Sequence, residues 1–172
     1  YDKHRDDLLQ DGRFCGLLPT EKTVWTVWNT TFEKLENNHA RFLPIALLAF
    51  LARFKGNIIQ DEMFRLASLG MAGIDREFGA EQRFPSDFRQ FLTRDGMEWD
   101  SFFYRQSRDL LVRYSLAQRI EGEWPGVTMH SLVRWRAMQY KKSEWWEWWH
   151  SLFVLAACHK LPQEYESLRF RR

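Results

Sequence analysis

The residues that decide the fold read Val127-Thr128-Met129-His130-Ser131-Leu132-Val133-Arg134-Trp135. An extended run ends at His130, and a helical pattern begins directly after it. Upstream, Leu116 to Glu121 alternates as a strand does, and Gly122 to Gly126 is a Gly/Pro turn. The sequence therefore predicts a β-hairpin whose second strand, Val127 to His130, delivers a histidine to the start of a helix.

Apolar residues at helical spacing predict several helices before this hairpin. The predicted helices are a face of Val24, Trp25, Trp28, Phe32 and Leu35, a buried helix from Ala40 to Phe54, a helix from Asp61 closed by Gly70 and Gly73, a short one from Ser86, and one capped by Asp100 that reaches Tyr114. The polar, Gly-containing stretch from Met71 to Pro85 predicts a loop. Helices followed by a two-stranded hairpin are the order of a winged helix.

Helical spacing resumes after the hairpin, over 132–140, 144–160 and again from Pro162. We therefore predict a mainly α fold, a winged-helix-like helical module with a small β-hairpin, followed by the first helices of an α-helical repeat array. In this organisation 1–23 holds the end of a preceding helix and a linker. The module covers 24–140 with an insertion at about 71–99, and 141–172 starts the repeat region. We expect the chain to be a piece of a longer protein.

Composition restricts the partners. The formal charge of +2 is too small to favour nucleic acid or an anionic membrane surface, and the apolar run from Phe42 to Leu51 is far shorter than the roughly 20 residues that span a bilayer. Cys15 and Cys158 form no C-x-x-C pair, so neither a disulfide nor a zinc site is indicated. Reduced thiols are the default, and we predict a cytoplasmic protein without a metal.

Catalytic motifs are missing from the sequence. No glycine is followed by Lys in a phosphate-binding loop, and neither G-x-S-x-G nor H-E-x-x-H occurs. Cys158 and His159 are neighbours on a predicted helix, so their side chains point about 100° apart and form no nucleophile and base pair. We predict that this chain alone is not an enzyme.

Several stretches in order resemble one known family, the fungal NB-ARC/tetratricopeptide proteins of the NLR-like STAND class of signalling ATPases. The resemblance covers about Tyr1 to Leu168. It rests on Val24 to Leu35, Ala46 to Leu51, Ile58-Ile59 with Glu62-Met63-Phe64, Leu111-Val112-Arg113-Tyr114-Ser115-Leu116, and Met129-His130-Ser131-Leu132-Val133-Arg134-Trp135. The last two resemble the family's "L-x-x-Y-S-L" and "M-H-P-L-V-x-x-W" stretches.

The resemblance implies a regulatory winged-helix segment between an upstream nucleotide-binding domain and downstream tetratricopeptide-like (TPR) helical repeats, both partners in cis. It implies that Met129 and His130 bind ADP, with His130 contacting its phosphate in the resting state. ADP or ATP would be bound only in the full-length protein, where hydrolysis resides upstream, and not by the isolated chain. Self-association on activation is a further implied partner relation.

Three alternatives compete with this interpretation. His130 can be a satisfied cap that only orients the helix start. The chain can be a nucleotide-independent protein interaction module, in which Trp146, lying off the helical face of Trp145, Trp148, Trp149 and Leu152, is the candidate partner contact. Third, winged-helix DNA binding would use Arg105, Arg108 and Arg113, although Asp100 and Asp109 interrupt that patch.

Overall fold

The computed structural model describes residues 19–54, 58–78, 86–96, 98–140 and 146–169. The helix end predicted within 1–10 lies outside these ranges. The described residues up to Asn38 form one compact unit, and those from His39 onward form a second. This division after Asn38 differs from the domain boundaries that the sequence predicts, which follow residues 23 and 140.

The described part of the first unit is one helix, α1 (Pro19–Asn38). It includes residues 19–23, which we predicted to be linker. Proline is favoured at the first helical position because its missing N–H would be unpaired there in any case. Phe32 and Leu35, both on the predicted apolar face, are fully buried.

The second unit is mainly helical, and its described residues also form a three-stranded and a two-stranded antiparallel sheet. Its elements in chain order are a 3-10 turn (Ala40–Phe42), α2 (Pro44–Leu51), β1 (Ile59–Gln60), α3 (Asp61–Phe78), α4 (Ser86–Arg89) with a 3-10 turn (Gln90–Leu92), β2 (Arg94–Asp95), β3 (Glu98–Trp99), α5 (Phe102–Arg113), β4 (Gln118–Ile120), β5 (Gly126–Thr128), α6 (Ser131–Tyr140) and α7 (Trp146–Arg169). The predicted mainly α fold class is confirmed.

The predicted hairpin is confirmed as β4 and β5, which pair antiparallel with Arg119 opposite Val127. We did not predict β1, which pairs with the other edge of β5 and makes it the central strand of three. Gly126 permits this third strand, because a Cβ there would lie 2.3 Å from the Ile59 carbonyl oxygen. The hairpin thus pairs with a strand that lies between α2 and α3.

Helix α2 is the apolar centre of this unit. Its residues Ile45 and Leu47 to Leu51 are buried, as predicted. The helix begins at Pro44 and not at Ala40, because a residue before proline is disfavoured in the helical region. Leu43 instead takes a left-handed conformation, with φ of 48°, between the 3-10 turn and α2.

Helix α3 contradicts the predicted loop at Met71 to Pro85, since it continues to Phe78. Gly70 and Gly73 do not end it. They lie where α3 packs along α7, and a Cβ on Gly70 would lie 1.9 Å from the Ala156 carbonyl oxygen. Gly70 is therefore explained by tertiary packing and not by chain reversal.

Helix α7 runs through Pro162, where we predicted a new helix to start. A proline inside a helix removes one backbone hydrogen bond and does not always end the helix. Whether α7 begins a repeat array stays a prediction. Within the described ranges, no helix combines the length and the apolar character needed to cross a membrane.

Candidate functional site at the hairpin-to-helix junction

His130 is the N-cap residue of α6. Its carbonyl oxygen accepts the first helical hydrogen bond, from the Arg134 N–H at 3.0 Å. Its imidazole Nδ1 accepts a second, from the Leu132 N–H at 3.2 Å. An Nδ1 that accepts carries no proton, so the neutral ring has its proton on Nε2. The imidazole is exposed and retains one N–H donor, at Nε2, for a ligand.

Met129, the other residue predicted to bind ADP, is buried and only 7% exposed. Val127 on one side and Val133 on the other are buried as well. These three side chains fix the junction to the core. Of the two residues predicted to bind ADP, only His130 is therefore presented to solvent.

The chemistry available at this junction is hydrogen bonding to an anion. The first N–H groups of a helix and its positive dipole end favour a phosphate or carboxylate, and the Nε2–H of His130 adds a side-chain donor. An open groove of about 610 Å³ lies elsewhere, lined by Val112, Ser115, Ala117, Gln118 and Arg119. His130 does not line that groove.

Helix α5 does not present the three predicted arginines together. Arg108 is 4% exposed, and it forms ion pairs with Asp61 at the start of α3 and with Asp109 at 3.0 Å. Only Arg105 and Arg113 remain exposed, with Asp109 between them. The interpretation of Arg108 as part of a DNA-reading surface is therefore wrong.

Sequence reasoning missed the polar cluster around Asp61. The Tyr104 hydroxyl donates to Asp61 Oδ1 at 2.5 Å, and the Arg108 guanidinium lies 5.7 Å from the Tyr104 ring centroid. Burial, followed by the Asp61 charge, raises the pKa of Tyr104 well above its ordinary value. The pKa of Arg108 is also raised, because Asp61 and Asp109 outweigh the burial that lowers it. The signal was available, since Tyr104, Arg108 and Leu111 share one helical face.

The surface position predicted for Trp146 is wrong. Trp146 is 6% exposed, and the Arg53 guanidinium stacks 4.9 Å from its ring centroid. The buried face of α7 is Trp146, Phe153, Ala156 and Ala157, with Leu152 at its edge, whereas Trp148 is 42% exposed. With tryptophans at 145, 146, 148 and 149, two faces fit the helical period equally well. Only packing against the core selects between them.

Comparison of the chain with family models, with curated proteins and with solved structures finds no match.

Proposed function

We propose that this chain is the regulatory relay segment of a multidomain NB-ARC/tetratricopeptide-type signalling ATPase. In this proposal the upstream domain binds ADP and hydrolyses nucleotide, His130 senses the ADP phosphate, and α7 passes the nucleotide state to downstream helical repeats. The observation that carries it is the geometry of His130, whose Nδ1 is occupied by the Leu132 N–H while its Nε2–H remains a donor. The identity of the ligand, ADP, comes from the sequence resemblance.

Replacing His130 separates the capping role from the sensing role. In the full-length protein we expect His130→Ala to release ADP about 10- to 150-fold faster, the loss of one charge-assisted hydrogen bond of about 1.5 to 3 kcal/mol. The matched variant His130→Ser restores a good N-cap but has no group that reaches the phosphate. ADP release measured by stopped-flow with a fluorescent ADP should be fast in both variants. Slow release from His130→Ser would show that His130 only caps α6.

A second candidate function is a protein interaction module without a nucleotide role, in which the outer face of α7 binds the partner. That face carries Trp148, Ser151, Leu155 and Cys158, all exposed, with Trp148 at 42% and Leu155 at 46%. Two large apolar residues seven apart lie on one side of a helix. The relay proposal assigns this face to the downstream repeats, and the alternative assigns it to a separate protein.

The accessibility of Cys158 distinguishes downstream repeats from a separate protein as the partner of this face. In a Cys15→Ser background Cys158 is the one remaining thiol of the sequence. We expect maleimide labelling of Cys158 to be at least about tenfold slower in the polypeptide extended through its downstream residues than in the 172-residue chain. Equal labelling rates would leave this face open and favour the interaction module. A phosphate-binding loop upstream and a repeat of roughly 34 to 42 residues downstream would also support the relay.

The proposal places the protein in the cytoplasm, in keeping with two cysteines that form no paired motif.

A further inference from the structure

The end of α2 meets the start of α7 in a cluster that the relay proposal does not use. His150 lies against the Phe54 ring, with centroids 4.4 Å apart, and 6.2 Å from the Phe50 ring. Arg53, in the turn after α2, stacks on Trp146 and donates from Nη1 to the Ala49 carbonyl at 2.8 Å. A basic group and an imidazole therefore share a mostly aromatic environment.

Two nitrogens of this cluster are buried without a hydrogen-bond partner, the Arg53 Nε and the His150 Nε2. A buried polar atom without a partner costs free energy, and the cost rises steeply when the group becomes charged. Among the described residues, the charged groups that act on His150 are Arg53 and, from α7 itself, the exposed Glu147. One cation nearby and one solvent-screened anion leave a protonated His150 poorly compensated.

We propose that His150 is a proton-operated latch, which when neutral holds the first two turns of α7 against the end of α2 and when protonated releases them. Protonation would place a second positive charge beside Arg53 among aromatic rings. Release is local, because further along α7 the backbone of Ala156 is held in contact with Gly70. This inference does not depend on ADP binding.

We call the state in which the first two turns of α7 lie against the end of α2 the docked state. The pKa of His150 in this state sets the direction of the pH dependence. Burial lowers the pKa of His150 below its ordinary value, Glu147 opposes this, and Arg53 lowers it further. The undocked imidazole, with a pKa of about 6.5, therefore binds protons more tightly than the docked one. Docking is fully stable above that pKa and weakens as the pH falls through it toward the docked-state pKa.

Hydrogen exchange tests the latch. We expect protection of the amides at 150–154, corrected for the intrinsic pH dependence of exchange, to fall by up to about tenfold between pH 7.5 and 5.5, where the undocked imidazole is about 90% protonated. Amides of α3 around Gly70 should keep their protection. His150→Phe, which keeps an aromatic ring without a titrating group, should abolish the pH effect, whereas His159→Gln on the same helix should retain it.

Two results would overturn the latch. One is an equal loss of protection in His150→Phe, and the other is unchanged protection of the native chain at pH 5.5. Because His150→Phe could itself alter packing, an NMR titration of the native imidazole gives an independent measurement. A His150 pKa at or above about 6.5 in the docked chain would contradict the proposal.

Discussion

Gly70→Ala is expected to destabilise the protein by about 3 kcal/mol, because the new methyl group has no room. A Cβ on Gly70 would lie 1.9 Å from the carbonyl oxygen of Ala156 and 2.7 Å from its carbonyl carbon. Both atoms belong to the α7 backbone, so a rotamer change cannot relieve the overlap and α7 must move away from α3. The expected loss is net of the roughly 1 kcal/mol that alanine gains over glycine inside a helix.

Gly73→Ala is the matched control on the same helix. Its Cβ would lie 2.4 Å from His159 Nε2, the far end of an exposed side chain that can rotate away. We expect its free energy of unfolding in urea to change by about 1 kcal/mol or less, since the helix propensity gain offsets the adjustment of His159. Equal stability of Gly70→Ala and Gly73→Ala would contradict the close crossing of α3 and α7.

Asp61→Ala is expected to cost about 3 to 5 kcal/mol, because it leaves the buried Arg108 guanidinium without its partner on α3. The Tyr104 hydroxyl loses its acceptor in the same variant. Combining Asp61→Ala with Arg108→Met should recover part of the loss, since the uncompensated charge is then gone. Chemical denaturation of the two single variants and the double variant measures this coupling.

Asp109→Ala is the control for this pair. Asp109 also contacts Arg108, at 3.0 Å, but its side chain is 51% exposed. Exposed ion pairs contribute about 0 to 1 kcal/mol, so we expect a correspondingly small change. A larger loss in Asp109→Ala than in Asp61→Ala would show that Arg108 is held mainly from α5 itself.

The elements that could be predicted from the sequence depend on neighbouring residues. The hairpin follows from alternation around a Gly/Pro turn. Asp100, predicted as the N-cap of α5, lies one residue before the actual N-cap, Ser101, although its Oδ1 accepts the Phe102 N–H at 2.9 Å. The position of His130 at the helix start was predicted in the same way. Its Nδ1 contact with Leu132 was weighed as the capping alternative, and it turned out to be compatible with an outward Nε2–H donor.

The remaining features could not be predicted because they depend on residues far apart in the chain. β1 is too short to show alternation and exists through pairing with β5. Glycine is typical of a helix end, yet Gly70 lies inside α3, where the backbone of α7 passes close to it. The charge of Arg108 predicts a surface position. Its burial is instead compensated by the ion pair with Asp61, 47 residues away in the chain.

By itself the sequence determined the mainly α class, the hairpin and the capped start of α6, since local spacing and turn chemistry specify these directly. The tertiary structure decided which face of α7 is buried, which arginine is structural and which of Met129 and His130 can meet a ligand. The helical spacing of apolar residues predicts that a helix has an apolar side. Where two sides are nearly equal in character, only the shape of the core that receives the helix selects between them.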